Sequence, residues 1–200
     1  MKLVSNSLAD YLKSSKYIDW INPNILSMAN YLIKENNNEI ETVKTMYHYV
    51  RDEIKHSWDI QDKRVTAKAS DVLCEKVGIC WAKSNLLASL LRAKGIPAGI
   101  CYQRLTLGNT PDTGYCIHAL NAVYMQTLDK WIRIDARGNK EGINAEMFLD
   151  KEQLAFIIRP EYDEIDYQEI YAEPIPATME ILEKSTDALY MYLHSLPESL

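Results

Sequence analysis

Three side chains of this 200-residue sequence have the types that nucleophilic catalysis by a thiol requires: Cys80, His118 and Asp135. The thiolate is the reactive form of cysteine, so the thiol needs a base to take its proton. Imidazole titrates in the useful range, and a carboxylate on its far nitrogen fixes the tautomer and stabilises the cation. The set therefore predicts a thiol nucleophile served by a histidine base.

Cys80 lies at or just before the first turn of a predicted helix. Leucines recur on one face of a 3.6-residue repeat, at positions 86, 87, 90 and 91, and Gly95 and Pro97 are typical of the helix end. The unpaired N–H groups and the positive end of the helix dipole favour a thiolate there. A cysteine beside a leucine helix can equally be inert core, so a structural interpretation stays open.

His118 and Asp135 each lie in a run of strand-forming residues, 115–125 and 130–137, which are close enough to form an antiparallel hairpin. A turn centred near 126–127 would set His118 opposite Asp135. A turn centred two residues later would separate them unless a bulge restored the register. Taken singly, the histidine could be a core residue and the aspartate a turn cap. Together with Cys80, they favour a functional role.

The remaining patterns place helices before a small antiparallel sheet. They predict helices near 8–12, from the cap–proline pair 22–23, over 39–55 and over 71–76, a loop and cap at 36–38, a strand over 98–107, short helices near 144–148 and 151–157, and a last helix over 178–195. We expect an α+β fold in a single domain, 1–200, with its core at about 40–140 and a C-terminal extension, 141–200.

Composition excludes several classes of function. The net charge is −6 and no window is basic, which argues against a nucleic-acid partner. No apolar run approaches the ~18 residues of a membrane span, and the polar start of the chain lacks a signal-peptide core. We therefore expect a reduced, cytoplasmic protein without disulfides. The cysteines lack the paired spacing of structural zinc sites, so neither a metal nor a cofactor is expected.

Several segments strongly resemble the transglutaminase-like superfamily over roughly residues 40–140. They are Gly78–Trp81, Asn85–Ala98, His118–Ala119 and Trp131–Asp135. The resemblance implies a papain-like core with the cysteine helix packed on an antiparallel sheet. It also implies that Cys80 is the nucleophile, His118 the general base and acid, and Asp135 the residue that orients the imidazole.

The chemistry that this resemblance implies is attack on the amide carbonyl of a peptide or protein substrate, with an acyl-enzyme thioester as intermediate. Water would then complete hydrolysis or deamidation, which we favour, and a second amine would complete cross-linking. The Asp-Ala-Arg-Gly-Asn run at 135–139 is similar to a bacterial branch, where the usual family reads Asp-Pro/Ala-Thr. This departure leaves the substrate open. The calcium dependence of animal transglutaminases does not carry over, because no acidic site has calcium-ligand spacing.

An oxyanion donor is also required, and the backbone N–H of Cys80 is the natural first one. The family places a second donor upstream, where Trp58 or Gln61 could serve, although core packing of Trp58 is an equal alternative. Further candidates for the cleft or for substrate contact are Trp81, Tyr102, Gln103, Arg133, Arg137 and Asn139. Arginine also anchors loops, so a structural role for Arg133 and Arg137 stays open.

Two other functions remain as alternatives. One is a binding module that keeps the fold without catalysis, because a fold does not fix a function. The other is an arylamine N-acetyltransferase, which uses the same three residue types. Its expected Arg-Gly-Gly run before the cysteine is here Lys76-Val77-Gly78, which disfavours it. Peptide N-glycanases would bring glycan-binding or zinc parts that this chain lacks. The sequence does not indicate an oligomeric state.

Overall fold

Four α-helices lie before the main sheet in the part of the chain that the computed structural model describes, residues 1–33 and 38–200. They are α1 (Pro23–Leu32), α2 (Glu39–His48), α3 (Ala69–Glu75) and α4 (Cys80–Arg92). The side chain of Asn22 caps α1 by accepting the N–H of Asn24 at 3.0 Å. Of the predicted loop at 36–38, only Asn38 lies among the described residues, and it caps α2.

The helix predicted over 39–55 changes its winding before it ends. After α2 the chain continues as one π-helical turn, Tyr49–Glu53, and then leaves the helix as the short strand β2 (Lys55–His56). The apolar residues at helical spacing along this segment are nevertheless buried: Val43, Met46, Tyr47, Val50 and Ile54. The apolar period therefore located the buried face but not the point at which the helix ends.

Two corrections concern the approach to α4. The helix predicted over 71–76 begins earlier, at Ala69 after the cap position Lys68, and the N–H of Ser70 donates to Asp19. Beyond α3, the chain forms β3 (Val77–Gly78), which pairs in parallel with β2. This pairing joins residues far apart in the chain, which no local pattern indicates.

The helix α4 is buried on all sides after its first residue, from Trp81 to Arg92. It packs against a four-stranded antiparallel sheet in the order β6-β5-β4-β7, made of β4 (Ala98–Thr106), β5 (Tyr115–Met125), β6 (Lys130–Ile134) and β7 (Ile165–Asp166). The amide of Asn121 on β5 donates to the carbonyl of Ser84 at 3.0 Å, a direct link between sheet and helix. The predicted α+β class is confirmed.

The C-terminal extension differs most from its prediction. The short helices expected near 144–148 and 151–157 are irregular chain, joined by an isolated bridge between Glu146 and Gln153. The helix expected over 178–195 is two helices, α5 (Pro176–Lys184) and α6 (Ala188–His194), because Asp187 caps the second with two accepted N–H bonds. The extension returns to the core as β8 (Glu169–Ile170), which pairs in parallel with β1 (Lys2–Leu3).

Candidate active site

A cleft of about 430 Å³ opens at the N-terminal end of α4. Of the sequence candidates, Cys80, Trp81, His118 and Arg137 line it. Asp135 lies behind His118 and is buried. The structure therefore places Cys80, which is half-buried, and His118 in the lining of one cleft, with Asp135 directly behind the histidine.

His118 and Asp135 form a buried pair in which Nε2 and Oδ2 are 2.8 Å apart. The hairpin register is two residues from the one that would have set them directly opposite: Met125 pairs with Lys130 and Asn121 with Ile134. Continued by one position, this register places Asp135 opposite Leu120, one step diagonally from His118 on the same face. Diagonal neighbours on a strand pair are within reach of long side chains. The contact is thus made diagonally, without a bulge.

Backbone groups hold the aspartate in place. Its Oδ1 accepts the N–H of Arg137 at 3.0 Å, and its Oδ2 also accepts the N–H of Ala155 at 3.1 Å. On the imidazole side, the ring of Phe156 packs edge-on against His118 with centroids 5.0 Å apart. Residues 155–156 of the C-terminal extension therefore fix both members of the pair.

The pair is charged. Burial alone would lower the pKa of His118, but the nearby charges of Asp135 and Cys80 outweigh it and raise this pKa to about 10. Burial would raise the pKa of Asp135. The charge of His118 and the hydrogen bonds that the Asp135 carboxylate accepts nevertheless hold this pKa below its usual value. With Nε2 committed to the aspartate, Nδ1 is the ring nitrogen left to exchange a proton with a group in the cleft.

Cys80 is the first residue of α4, after Ile79 in extended conformation. The N–H groups of a first helical turn have no acceptor within the helix, so that of Cys80 is free to meet a ligand. The indole N–H of the next residue, Trp81, donates to the carbonyl of Ile117 at 2.8 Å. Trp81 thus ties the start of α4 to the strand position just before His118 and does not offer its N–H to the cleft.

Four other candidates, Tyr102, Gln103, Arg133 and Asn139, lie outside the cleft. The hydroxyl of Tyr102 is buried and accepts the N–H of Ile175. Gln103 is buried beside Asp166, and Arg133 pairs with Glu152 and Asp166. Asn139 bonds the backbone of Ala145 through both its amide oxygen and its amide nitrogen, which fixes the loop. Tyr102, Arg133 and Asn139 are explained by the hydrogen bonds and ion pairs that their polar groups make, whereas the side-chain oxygen of Gln103 is buried without a partner in the described part of the chain.

Neither proposed side-chain oxyanion donor lines the cleft. Gln61 is exposed, and its amide donates back to the carbonyl of Trp58. The ring of Trp58 stacks on Tyr192, with centroids 4.4 Å apart and planes 15° apart. The upstream stretch therefore contributes His56 to the cleft, whereas Trp58 and Gln61 lie outside it.

Arg137 is a cleft residue whose charge is already paired. Its two terminal nitrogens bond the two carboxylate oxygens of Asp59 at 2.6 and 2.9 Å, and Lys140 donates to the same carboxylate at 2.6 Å. Burial would raise the pKa of Asp59, but these cations lower it to about 2. The cluster sets two positive charges against one negative charge beside Cys80.

Lys83, one helical turn after Cys80, is only 1% exposed and does not reach the cleft. Its ammonium donates to the carbonyls of Ile54 and Arg51, at the end of the π-helical turn. Burial, with a smaller contribution from Arg137, lowers its pKa to about 7. From its position on α4, Lys83 therefore caps the C-terminal end of the π-helical turn Tyr49–Glu53.

Among the cleft residues that sequence reasoning missed are His56, Cys116, Phe156 and Tyr192. Cys116 precedes His118 by two positions on β5, so strand periodicity alone could have indicated it. His56 lies two positions before Trp58, in the stretch where the sequence predicted an oxyanion donor. Phe156 and Tyr192 belong to the C-terminal extension, and only tertiary packing brings them to the cleft.

The family model of the transglutaminase-like superfamily matches residues 26–136, just over half of the chain. The chain belongs to this superfamily. The matched region of this transglutaminase-like chain contains Cys80, His118 and Asp135. No protein with a curated description matches the chain.

Two solved structures are similar to this transglutaminase-like chain. A "Putative Cysteine Protease" from Cytophaga hutchinsonii superposes with a TM-score of 0.53 at 19% identity, covering 67% of this chain and 43% of that chain. The periplasmic domain of TgpA from Pseudomonas aeruginosa superposes with a TM-score of 0.47 at 19% identity, covering 63% and 45%. The chain spans less than half the length of either structure, and the first shows a shared fold. Within residues 1–33 and 38–200, no helix combines the length and apolar character needed to cross a bilayer.

Proposed function

We propose that this chain is a thiol-dependent amide hydrolase or acyltransferase that acts on peptide-type substrates. Cys80 is its nucleophile, His118 its general base and acid, and Asp135 the residue that positions the imidazole. One observation carries the proposal: the buried His118–Asp135 bond of 2.8 Å ends at the same cleft as the half-buried sulfur of Cys80. Family membership supports it.

The geometry suggests a sequence of two displacements. The Cys80 thiolate bonds to the amide carbonyl carbon, and the carbonyl electron pair moves to oxygen. When that pair returns, the C–N bond breaks, and His118 gives its Nδ1 proton to the departing amine nitrogen. The product is a thioester on Cys80. His118 then takes a proton from water, whose oxygen attacks the thioester and releases the acid and the thiolate.

Hydrolysis and transfer differ only in the second nucleophile. Water needs no binding site of its own, so hydrolysis is the simpler outcome, whereas an amine acceptor requires a second subsite in the cleft. Digestion of a peptide library with and without an added primary amine distinguishes them. Incorporation of the amine into products would identify a transferase.

A labelling experiment tests the proposal, and the chain carries its own reference thiol. Cys74 is exposed and free, so it reports the reactivity of an ordinary cysteine in the same sample. With iodoacetamide at pH 6.5 and site-resolved mass spectrometry, we expect Cys80 to alkylate roughly tenfold faster than Cys74 or more, because a thiolate is the reacting form. His118→Ala should abolish the advantage. Equal rates in the unaltered protein would instead support a binding module without catalysis.

A further inference from the structure

Attack on a carbonyl by Cys80 creates a negative oxygen that the cleft must stabilise. Preorganised hydrogen-bond donors at this position are among the largest contributions to acyl-transfer catalysis. The free N–H of Cys80 supplies one donor. Since Trp58 and Gln61 do not line the cleft, the second donor must come from another residue.

His56 lies where such a donor is needed. In the β2–β3 pair His56 is the partner of Gly78, two residues before Cys80, and the N–H of the following Ser57 donates to the carbonyl of Gly78 at 3.3 Å. This pairing fixes the backbone of His56 beside the chain that enters α4. Its side chain lines the cleft while remaining only 5% exposed.

One ring nitrogen of His56 is buried without a hydrogen-bond partner. Nδ1 is enclosed and has no hydrogen-bond partner within the described part of the chain. A buried N–H without an acceptor costs about 1–3 kcal/mol, which disfavours the ring proton on Nδ1 and favours the tautomer with its proton on Nε2. With Nδ1 enclosed, Nε2 is the nitrogen through which the ring can meet a ligand in the cleft. A phenol ring, that of Tyr192, stands edge-on to the imidazole with centroids 6.4 Å apart and limits its rotation.

The imidazole of His56 is neutral at ordinary pH. Burial, followed by the positive charge of Arg137, lowers its pKa well below the usual value, and His118 adds to the effect, outweighing the opposing charge of Asp59. A neutral imidazole carries one N–H and can donate it without bringing a charge. The two histidines of the cleft are thus held in opposite states, with His118 protonated and His56 neutral.

We propose that the Nε2–H of His56 is the second oxyanion donor, acting with the backbone N–H of Cys80 on the carbonyl oxygen of the substrate. The inference rests on the proposed function, since it concerns the intermediate that Cys80 would form. It assigns His56 to contact with the reacting atoms and not to the positioning of another residue.

Other donors that line the cleft are less suited. Both terminal nitrogens of Arg137 are taken by Asp59, and the indole of Trp81 is taken by Ile117. Lys140 donates to Asp59, and Arg159 donates to Thr106 and Glu164. The hydroxyl of Tyr192 is a further competitor. It belongs to the short helix α6, whereas His56 is on a strand paired directly with the residues that precede Cys80. Tyr192→Phe therefore belongs in the test.

Two small probes of the same thiol separate oxyanion stabilisation from thiol reactivity. Iodoacetamide alkylates sulfur by displacing iodide and forms no oxyanion, whereas p-nitrophenyl acetate acylates sulfur through a negative tetrahedral oxygen. In His56→Leu we expect acylation of Cys80 to fall on the order of 100-fold, the effect of losing one oxyanion donor. Alkylation should not change, because a neutral side chain is lost. His56→Gln, which keeps a side-chain N–H, should recover part of the acylation rate.

Controls assign every outcome. His194→Ala, at an exposed histidine, should affect neither probe. If both rates fall together in His56→Leu and His56→Gln, His56 supports the structure and the inference is wrong. It is also wrong if neither rate falls, or if only Tyr192→Phe loses acylation selectively. These results leave Cys80 as the nucleophile. If the unaltered protein shows no advantage of Cys80 over Cys74 with either probe, the proposed function itself fails.

Discussion

The charge state of the His118–Asp135 pair determines what Cys80 can do. An imidazolium beside the sulfur stabilises a thiolate, and an imidazole left neutral by burial would not. The aspartate decides between these states, because its charge opposes the desolvation that would otherwise lower the pKa of His118. In the proposed mechanism, Asp135 therefore acts on His118 through its charge as well as through its hydrogen bond.

Asp135→Asn should make the pH dependence of stability reveal this effect. His118 in the folded protein keeps its proton up to a pKa of about 10, and in the unfolded chain it loses it near ~6.5. The pair's stabilisation is thus complete at pH 5–6.5 and is lost as pH rises towards 10. In the variant, burial keeps His118 neutral in the folded protein, while the unfolded chain still binds a proton near ~6.5. The free energy of unfolding therefore decreases as the pH is lowered below 6.5. We expect the gap in the free energy of unfolding to be larger at pH 5 than at pH 9.

Urea unfolding of both proteins at the two pH values measures the gap, with Cys80→Ala in each so that the thiol does not titrate. Because Cys80 contributes to the raised pKa of His118, the stabilisation is lost at a lower pH in this background, and the direction of the gap is unchanged. A gap that is constant with pH would mean that Asp135 contributes a hydrogen bond but no stabilisation of the imidazolium.

At the scale of the elements, the C-terminal extension packs so closely on one residue of β4 that only glycine fits there. Gly99 on β4 lies under the returning C-terminal extension, where an added Cβ would be 2.5 Å from Ile170 Cγ2 and 2.9 Å from the carbonyl oxygen of Tyr171. The backbone of Tyr171 also pairs with Ile100 through two hydrogen bonds of 2.8 and 2.9 Å. This approach fastens the extension to the edge of the core sheet.

Gly99→Ala should therefore destabilise the protein by several kcal/mol, because the clash involves backbone and a buried side chain. Gly95→Ala is the matched control. Gly95 has a φ of +74° with open space around an added Cβ, so its cost should be the conformational one of about 1 kcal/mol. Urea denaturation of both variants measures the difference. Equal losses of stability in the two variants would show that the extension can move away from residue 99 and relieve the clash.

Elements with a strong local pattern were predictable, and those defined by distant contacts were not. The leucine period and Gly95 located α4, and an asparagine–proline pair located the start of α1. The hairpin register stayed open in the sequence because its turn spans 126–129, and residue types alone do not fix its centre, which lies between the two alternatives considered. Residues 144–157 have helix-like periodicity, yet Ala155 donates its N–H to Asp135 instead of to a helix carbonyl. The β2–β3 pairing that positions His56 has no sequence signature.

For the whole molecule, the site depends on contacts between the helical part, the sheet and the extension. The extension contributes Ala155 and Phe156 to the histidine pair and Tyr192 to the cleft wall. The family match ends at residue 136, before all three. A single domain over 1–200 remains a prediction, and these contacts support it.

The cluster of Asp59, Arg137 and Lys140 connects the turn after β2 to the loop after β6, across the cleft. Asp59→Asn would leave Arg137, which is 5% exposed, without its charge partner. Removing one member of a buried pair costs 3–5 kcal/mol, and the 19% exposure of the Asp59 side chain reduces this to about 2 kcal/mol. Because the pKa of folded Asp59 is about 2, the loss should be complete above pH ~4 and disappear as pH falls towards 2.

Asp62→Asn provides the comparison, since Asp62 pairs with the exposed Arg64 two positions along the chain and bridges no elements. We expect it to lose clearly less stability than Asp59→Asn in urea unfolding at pH 7, because exposed pairs contribute little. The alkylation rate of Cys80 should follow the same order, since only Asp59 holds the two sides of the cleft at a fixed separation. Equal losses in both variants would mean that the two parts of the molecule are joined by packing alone, with the charge cluster as a passive feature of the cleft rim.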